Sequence, residues 1–267
     1  MQQMTFMECV KRAWASAGEA ITRMPAVMLG AFVLYAALGW LALAGRPMPG
    51  EGDMPSTGLV LLGNLASIFN ALVYLWFTLK VYRFVLLGEH ATPFLPNGAR
   101  PMLRMLGLGV LMMLFFIATG AGLWIALTPQ NVASELFLAL IVAAIWMFVG
   151  VRVCLLYPAL AIGGRFSLGA AWRDTQGHFW NLLGVSCVAA LPLLVCGVAV
   201  LIGMGLVGIS PAVVQTPGWY TALAIMQSVA NLAFALLTST ALAWLYRRYA
   251  NALGSGSASA AASSSTH

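Results

Sequence analysis

Charge is what this sequence has least of. Only 7% of its 267 residues are Asp, Glu, Lys or Arg, against about 25% in an ordinary soluble domain. A water-soluble fold must cover itself with polar groups, and too few are present to do so. With 61% hydrophobic residues and a mean hydropathy of +0.91, the chain falls in the membrane class before any local pattern is read.

Motifs that carry chemistry are missing as well. Cys9, Cys154, Cys187 and Cys196 form no CxxC pair, so neither a zinc site nor a thioredoxin-type site is indicated. They read as small apolar side chains. The histidines are His90, His178 and His267, and no HExxH or Walker A sequence accompanies them. His178, beside Phe179 and Trp180, reads as an interfacial belt residue rather than a ligand or base. No serine has a histidine base available within the apolar segments, and no acid lies deep inside one. An enzyme is therefore not expected, nor a cofactor, a metal or a nucleic-acid partner.

What is present is apolar length. A hydrocarbon core about 30 Å thick needs roughly 20 residues of helix. Stretches of that length run over about 25–44, 58–79, 105–127, 136–156, 180–208 and 220–245. Their apolar runs are continuous rather than alternating, which excludes barrel strands. Pro192 and several glycines in the fifth predict tilt or a kink. The first 24 residues carry Glu8 and Glu19 and no continuous apolar core, so the first span is expected to be retained as a signal-anchor.

Orientation follows from the basic residues. Every Lys and Arg except Arg46 falls on one side: Lys11, Arg12 and Arg23, then Lys80, Arg83, Arg100 and Arg104, then Arg152, Arg165 and Arg173, then Arg247 and Arg248. The opposite loops hold Arg46 with Glu51, Asp53 and Glu135. The basic side faces the cytoplasm, which puts both termini there. The expected fold is an all-α polytopic bundle of six transmembrane helices over residues 1–253, with amphipathic helices on its cytoplasmic face. A Gly/Ser/Ala tail over 254–267 is expected to be disordered.

Residues 5–23 read as a helix lying on the inner surface. Thr5 and Glu8 fit a capping box. Phe6, Val10, Ala13, Trp14, Ala17 and Ile21 recur on one face, and Glu8–Arg12 and Glu19–Arg23 fit i,i+4 pairs. Residues 165–180 read alike, with Leu168, Trp172, Thr175 and Phe179 on one face and Arg173, Asp174 and Asn181 falling away. Lys11, Arg12, Trp14, Arg165, Trp172 and Arg173 are thus candidate contacts for membrane lipids, anionic ones above all. The alternative is that both segments only dock and fix the spans.

Arg152-Val153-Cys154-Leu155-Leu156-Tyr157-Pro158-Ala159-Leu160, followed by Ala170-Ala171-Trp172-Arg173-Asp174-Thr175-Gln176-Gly177-His178-Phe179-Trp180, resembles a group of bacterial six-helix integral membrane proteins. They share Arg, then Pro-Ala, then Ala-x-Trp, then Thr-x-Gly and an aromatic residue. Gly88-Glu89 after the second span fits the same layout. The group is similar to the membrane domain attached to some glycerophosphodiester phosphodiesterases. Most stand-alone members have no assigned function, and Ala171 stands where a serine is usual. The resemblance implies a membrane domain only, and with it an expected location in the bacterial cytoplasmic membrane. No stretch of these residues resembles the soluble phosphodiesterase, so its activity is not implied.

Polar groups inside the spans are the remaining candidates. Asn64, Ser67 and Asn70 lie on the second; Gln227, Ser228, Asn231, Thr238, Ser239 and Thr240 lie on the sixth. At 1.5 Å per residue, Asn70 and Asn231 sit roughly 18 and 16 Å from the outer edge, so they could bond across two helices. They serve either as interhelical glue or as a polar path. Arg152 falls about 6 Å short of the inner edge of the core. It can snorkel to the headgroups or donate inward, for example to Thr238 or Thr240. Two functions stay open: a non-catalytic protein organising lipid or a protein partner at the cytoplasmic face, or a transporter or channel for a small solute or lipid, using the Asn70/Asn231 cluster. A water-accessible cavity reaching those residues favours the second, and a closed, dry bundle the first.

Overall fold

Proline and an amphipathic pattern set the first boundary of the fold. Helix α1 (Phe6–Arg23) ends at Met24, and α2 (Pro25–Ala44) starts on Pro25, whose missing N–H costs nothing at a first helical position. The computed structural model describes residues 5–44, 57–89, 99–127, 131–164, 166–206, 217–251 and 253. Further helices are α3 (Thr57–Leu87), α4 (Ala99–Leu127), α5 (Val132–Val153), α6 (Leu156–Ala161), α7 (Leu168–Thr175), α8 (Phe179–Leu206) and α9 (Pro217–Tyr249). Among them α2, α3, α4, α5, α8 and α9 are long and apolar enough to cross a membrane. The chain is an all-α, multi-pass membrane protein.

Several helices outrun the apolar stretches that predict them. α3 continues to Leu87, α4 begins at Ala99, and α9 continues to Tyr249. The added turns carry Lys80, Arg83, Arg100, Arg104, Arg247 and Arg248. Charge ends an apolar run, but it does not end a backbone hydrogen-bond ladder. α8 runs unbroken through Pro192, which removes one bond from that ladder.

The chain forms two compact units. Of the described residues, 5–44, 57–89, 185–206 and 217–241 belong to one, and 99–127, 131–164, 166–184, 242–251 and 253 to the other. In the first, α2 packs along α3, and α1 packs on both. Gly39 marks a close approach of α2 to α9: a Cβ there would lie 3.9 Å from Ser228 Oγ. In the second, α4 packs on α5 and α6, and α5 on α7. Trp146 Nε1 of α5 donates to Thr119 Oγ1 of α4 at 2.9 Å. Asn131 caps α5, its side chain accepting from Ser134 N at 2.8 Å while Ser134 Oγ accepts from Asn131 N.

α1 departs from its sequence pattern in three ways. Thr5 is the N-cap residue but makes no side-chain cap bond. Glu8 is drawn instead to Arg12, at 2.8 Å, so no capping box forms. Glu19 and Arg23 form no ion pair. The buried edge is Cys9, Val10, Ala13, Ala17 and Ala20. Small side chains let α1 lie close to α2 and α3, which leaves Trp14 and Ile21 outside that edge and exposed.

Candidate functional site

Three helices of the first unit bring polar groups to one place. On α3, Ser67, Asn70 and Tyr74 recur at i, i+3 and i+7 and so share a face. α2 contributes Tyr35, and α9 contributes Asn231 and Phe234. These side chains line a cavity of about 280 Å³. No charged residue lines it.

Hydrogen bonding around the cavity is incomplete. Asn70 and Asn231 do not bond each other across the helices. Asn231 Oδ1 instead accepts from Gln227 Nε2, one turn earlier on α9, at 3.2 Å. Ser67 donates to Gly63 O of its own helix, and Thr238 to Phe234 O. Tyr35 is 2% exposed, and its hydroxyl has no hydrogen-bond partner. A buried hydroxyl without a partner costs free energy, about 1–3 kcal/mol. Tyr35 is not among the polar candidates read from the sequence, where it stands as one aromatic in an apolar run. The available signal was depth: Tyr35 lies roughly 15 Å along α2 from Pro25, far from the interface where tyrosines concentrate.

The second unit holds Arg152, near the end of α5. Its guanidinium carbon lies 5.2 Å from the Phe148 ring centroid and 5.0 Å from that of Trp172. Nη1 reaches Thr175 Oγ1 at 3.5 Å, and Nε is buried without a partner. Arg152 therefore turns toward α7 and its own aromatic neighbour. Its hydroxyl partner is thus Thr175 rather than Thr238 or Thr240, which donate to Phe234 O and Leu237 O of their own helix. Phe148 also meets Phe179, 5.7 Å away.

α7 buries a different face from the expected one. Ala170, Ala171, Asp174 and Thr175 are buried, whereas Leu168 and Trp172 are exposed. Asp174, expected to point away, accepts the backbone N–H of Leu253 at 3.0 Å. That bond lies 79 residues distant in sequence, so no local pattern could announce it. Arg104 Nη1 of α4 donates to Gly164 O at 3.2 Å, in the turn after α6.

Gly88 and Glu89 also acquire a geometry. Gly88 has φ 68° and donates to Phe84 O, the left-handed ending that favours glycine. It turns the chain so that Glu89 meets Arg83 in a bidentate pair at 2.8 and 2.7 Å. Lys80, expected as a surface charge, is 2% exposed.

The remaining candidates for lipid contact, Lys11, Arg12, Trp14, Trp172 and Arg173, are all exposed. Arg165 lies outside the described residues. Among the described residues no group of His, Cys, Asp and Glu could hold a metal ion.

No family model matches the chain, and neither curated proteins nor solved structures yield a match.

Proposed function

We propose that this protein is a non-catalytic carrier or channel of the bacterial cytoplasmic membrane, with both termini in the cytoplasm. Its cargo is an uncharged polar solute or the polar part of a lipid, received by the cavity at Tyr35, Asn70 and Asn231. The observation that carries this reading is that Asn70 and Asn231 line open space instead of bonding each other. Amides that serve only as glue between helices satisfy each other directly. A polar cavity inside a span is costly to keep unless something polar occupies it.

The test is transport by the full chain in liposomes, with glycerol efflux followed by light scattering and lipid movement followed with a fluorescent lipid. Transport of either above protein-free vesicles, reduced by Asn70→Leu and Asn231→Leu, supports the reading. Rates equal to protein-free vesicles for both cargoes would remove it.

A second reading has its own observation. α1 exposes Met7, Trp14 and Ile21 beside the exposed Lys11, a composition suited to an anionic lipid surface. On that reading the protein organises lipid, or a protein partner, at the cytoplasmic face. The likeness to bacterial six-helix membrane proteins is compatible with both.

A further inference from the structure

The polar cavity has a neighbour. A second cavity, of about 660 Å³, shares Asn231 and Phe234 with it. Its other walls include Leu193, Gly197 and Val200 of α8 and Met226 of α9. Apart from the amides of Gln227 and Asn231 and the thiol of Cys196, this lining is apolar. Its volume lies within the roughly 300–1,000 Å³ typical of sites for organic ligands. A small polar cavity and a larger apolar one therefore adjoin at one asparagine.

The chemistry of the polar end can be specified. No cation or anion lines it, and a charged group at this depth would be expensive without a partner. Tyr35 offers an O–H that bonds nothing. Asn231 Oδ1 is already occupied by Gln227 Nε2, which leaves its NH₂ to donate. Asn70 keeps both ends of its amide free of bonds within the described residues. Donors and acceptors both face the cavity, so the matching group is an uncharged oxygen-bearing one that can accept from Tyr35 and Asn231, a hydroxyl above all.

We propose that the two cavities form one site for an uncharged, long-chain amphiphile. Its oxygen-bearing head accepts from Tyr35 and Asn231, and its hydrocarbon tail lies between α8 and α9. This rests on the transport reading above and narrows it, from any uncharged cargo to a membrane-resident lipid. A water-soluble polyol shares the head chemistry but lacks a tail to fill the apolar cavity.

The test uses the full chain in phosphatidylcholine nanodiscs. The probe is oleyl alcohol carrying a photo-crosslinking diazirine in its chain, compared with the same chain ending in sulfate or in trimethylammonium. The alcohol should label peptides of α8 and α9 saturably, and excess oleyl alcohol should compete where glycerol does not. Labelling should fall about fivefold to tenfold in Tyr35→Phe and in Asn231→Leu, the loss expected for one hydrogen bond. Tyr35→Phe removes a hydroxyl that bonds nothing in the protein, so it should fold with unchanged or higher thermal stability. Equal labelling by all three heads, or labelling unchanged in both variants, overturns the proposal and makes the groove ordinary lipid-facing surface. Competition by glycerol as strong as by oleyl alcohol overturns it too, in favour of a soluble polyol. Glycerol transport by liposomes without head-dependent labelling sinks this inference and leaves the transport reading standing. Absence of head-dependent labelling together with transport of neither glycerol nor the fluorescent lipid removes the two together.

Discussion

The guanidinium of Arg152 lies 5.0 Å from the centre of the Trp172 ring, tying the end of α5 to α7. A planar guanidinium stacks on an indole, and an ammonium does so less well. Arg152→Lys should therefore cost about 1–2 kcal/mol of stability although the charge is kept. Trp172→Leu should cost a similar amount in the native background and far less in the Arg152→Lys background. Thermal unfolding in detergent measures the cycle. Strictly additive losses would show that the two side chains do not act as a pair.

Gly88 ends α3 in a left-handed conformation, with φ 68°. An alanine there pays the steric cost of that region, about 1–2 kcal/mol. Gly88→Ala should lower stability by that amount, and Arg83→Ala should add little to it if the turn already disrupts the Arg83–Glu89 pair. Unfolding midpoints of the single and double variants decide the point. A neutral Gly88→Ala would mean that this turn is not held in the described conformation.

Asp174 fastens the chain near Leu253 by accepting its backbone N–H. A hydrogen bond to a charged group is worth about 1.5–3 kcal/mol. Asp174→Ala should speed amide exchange at Leu253 and ease proteolytic trimming of the residues after it. Asp174→Asn keeps an acceptor and should fall between. Exchange at Leu253 that is the same in all three proteins would remove the fastening role.

The distribution of basic residues predicts sidedness. In a cysteine-free background, a cysteine replacing Asp53 should react with an impermeant thiol reagent in intact cells. One replacing Ser255 should react only after the membrane is opened. The opposite pattern would reverse the orientation, and equal reactivity would put both positions on one side of the membrane and overturn the six-span topology.

α1 presents Lys11 and Trp14 on its exposed surface. A peptide of residues 1–24 should bind vesicles of anionic lipid more tightly than neutral ones, by about 1 kcal/mol for each basic residue near the surface. The difference should shrink as salt is raised. Equal binding to both vesicle types would leave α1 as a dock for α2 and α3 alone.

The spans were legible in the sequence because the solvent decides them. A hydrocarbon layer satisfies no backbone group, so any apolar stretch of sufficient length must close its own hydrogen bonds as a helix. Such a helix needs no neighbours to form, and α2, α3, α4, α5, α8 and α9 follow from apolar length alone. Asn70, Asn231 and Arg152 are legible too, since polar groups stand out in an apolar run. Their partners were a different matter. Whether Asn70 bonds Asn231 or faces a cavity depends on how far apart α3 and α9 pack, and side-chain shape along whole helices sets that distance. Tyr35 is one aromatic in an apolar run until packing buries its hydroxyl without a partner. Asp174 reads as a solvated charge until α7 turns it toward the N–H of Leu253. Local composition fixed where the chain is helical and which helices are apolar. Only tertiary packing decided which polar groups meet, because those meetings join residues that no local pattern relates.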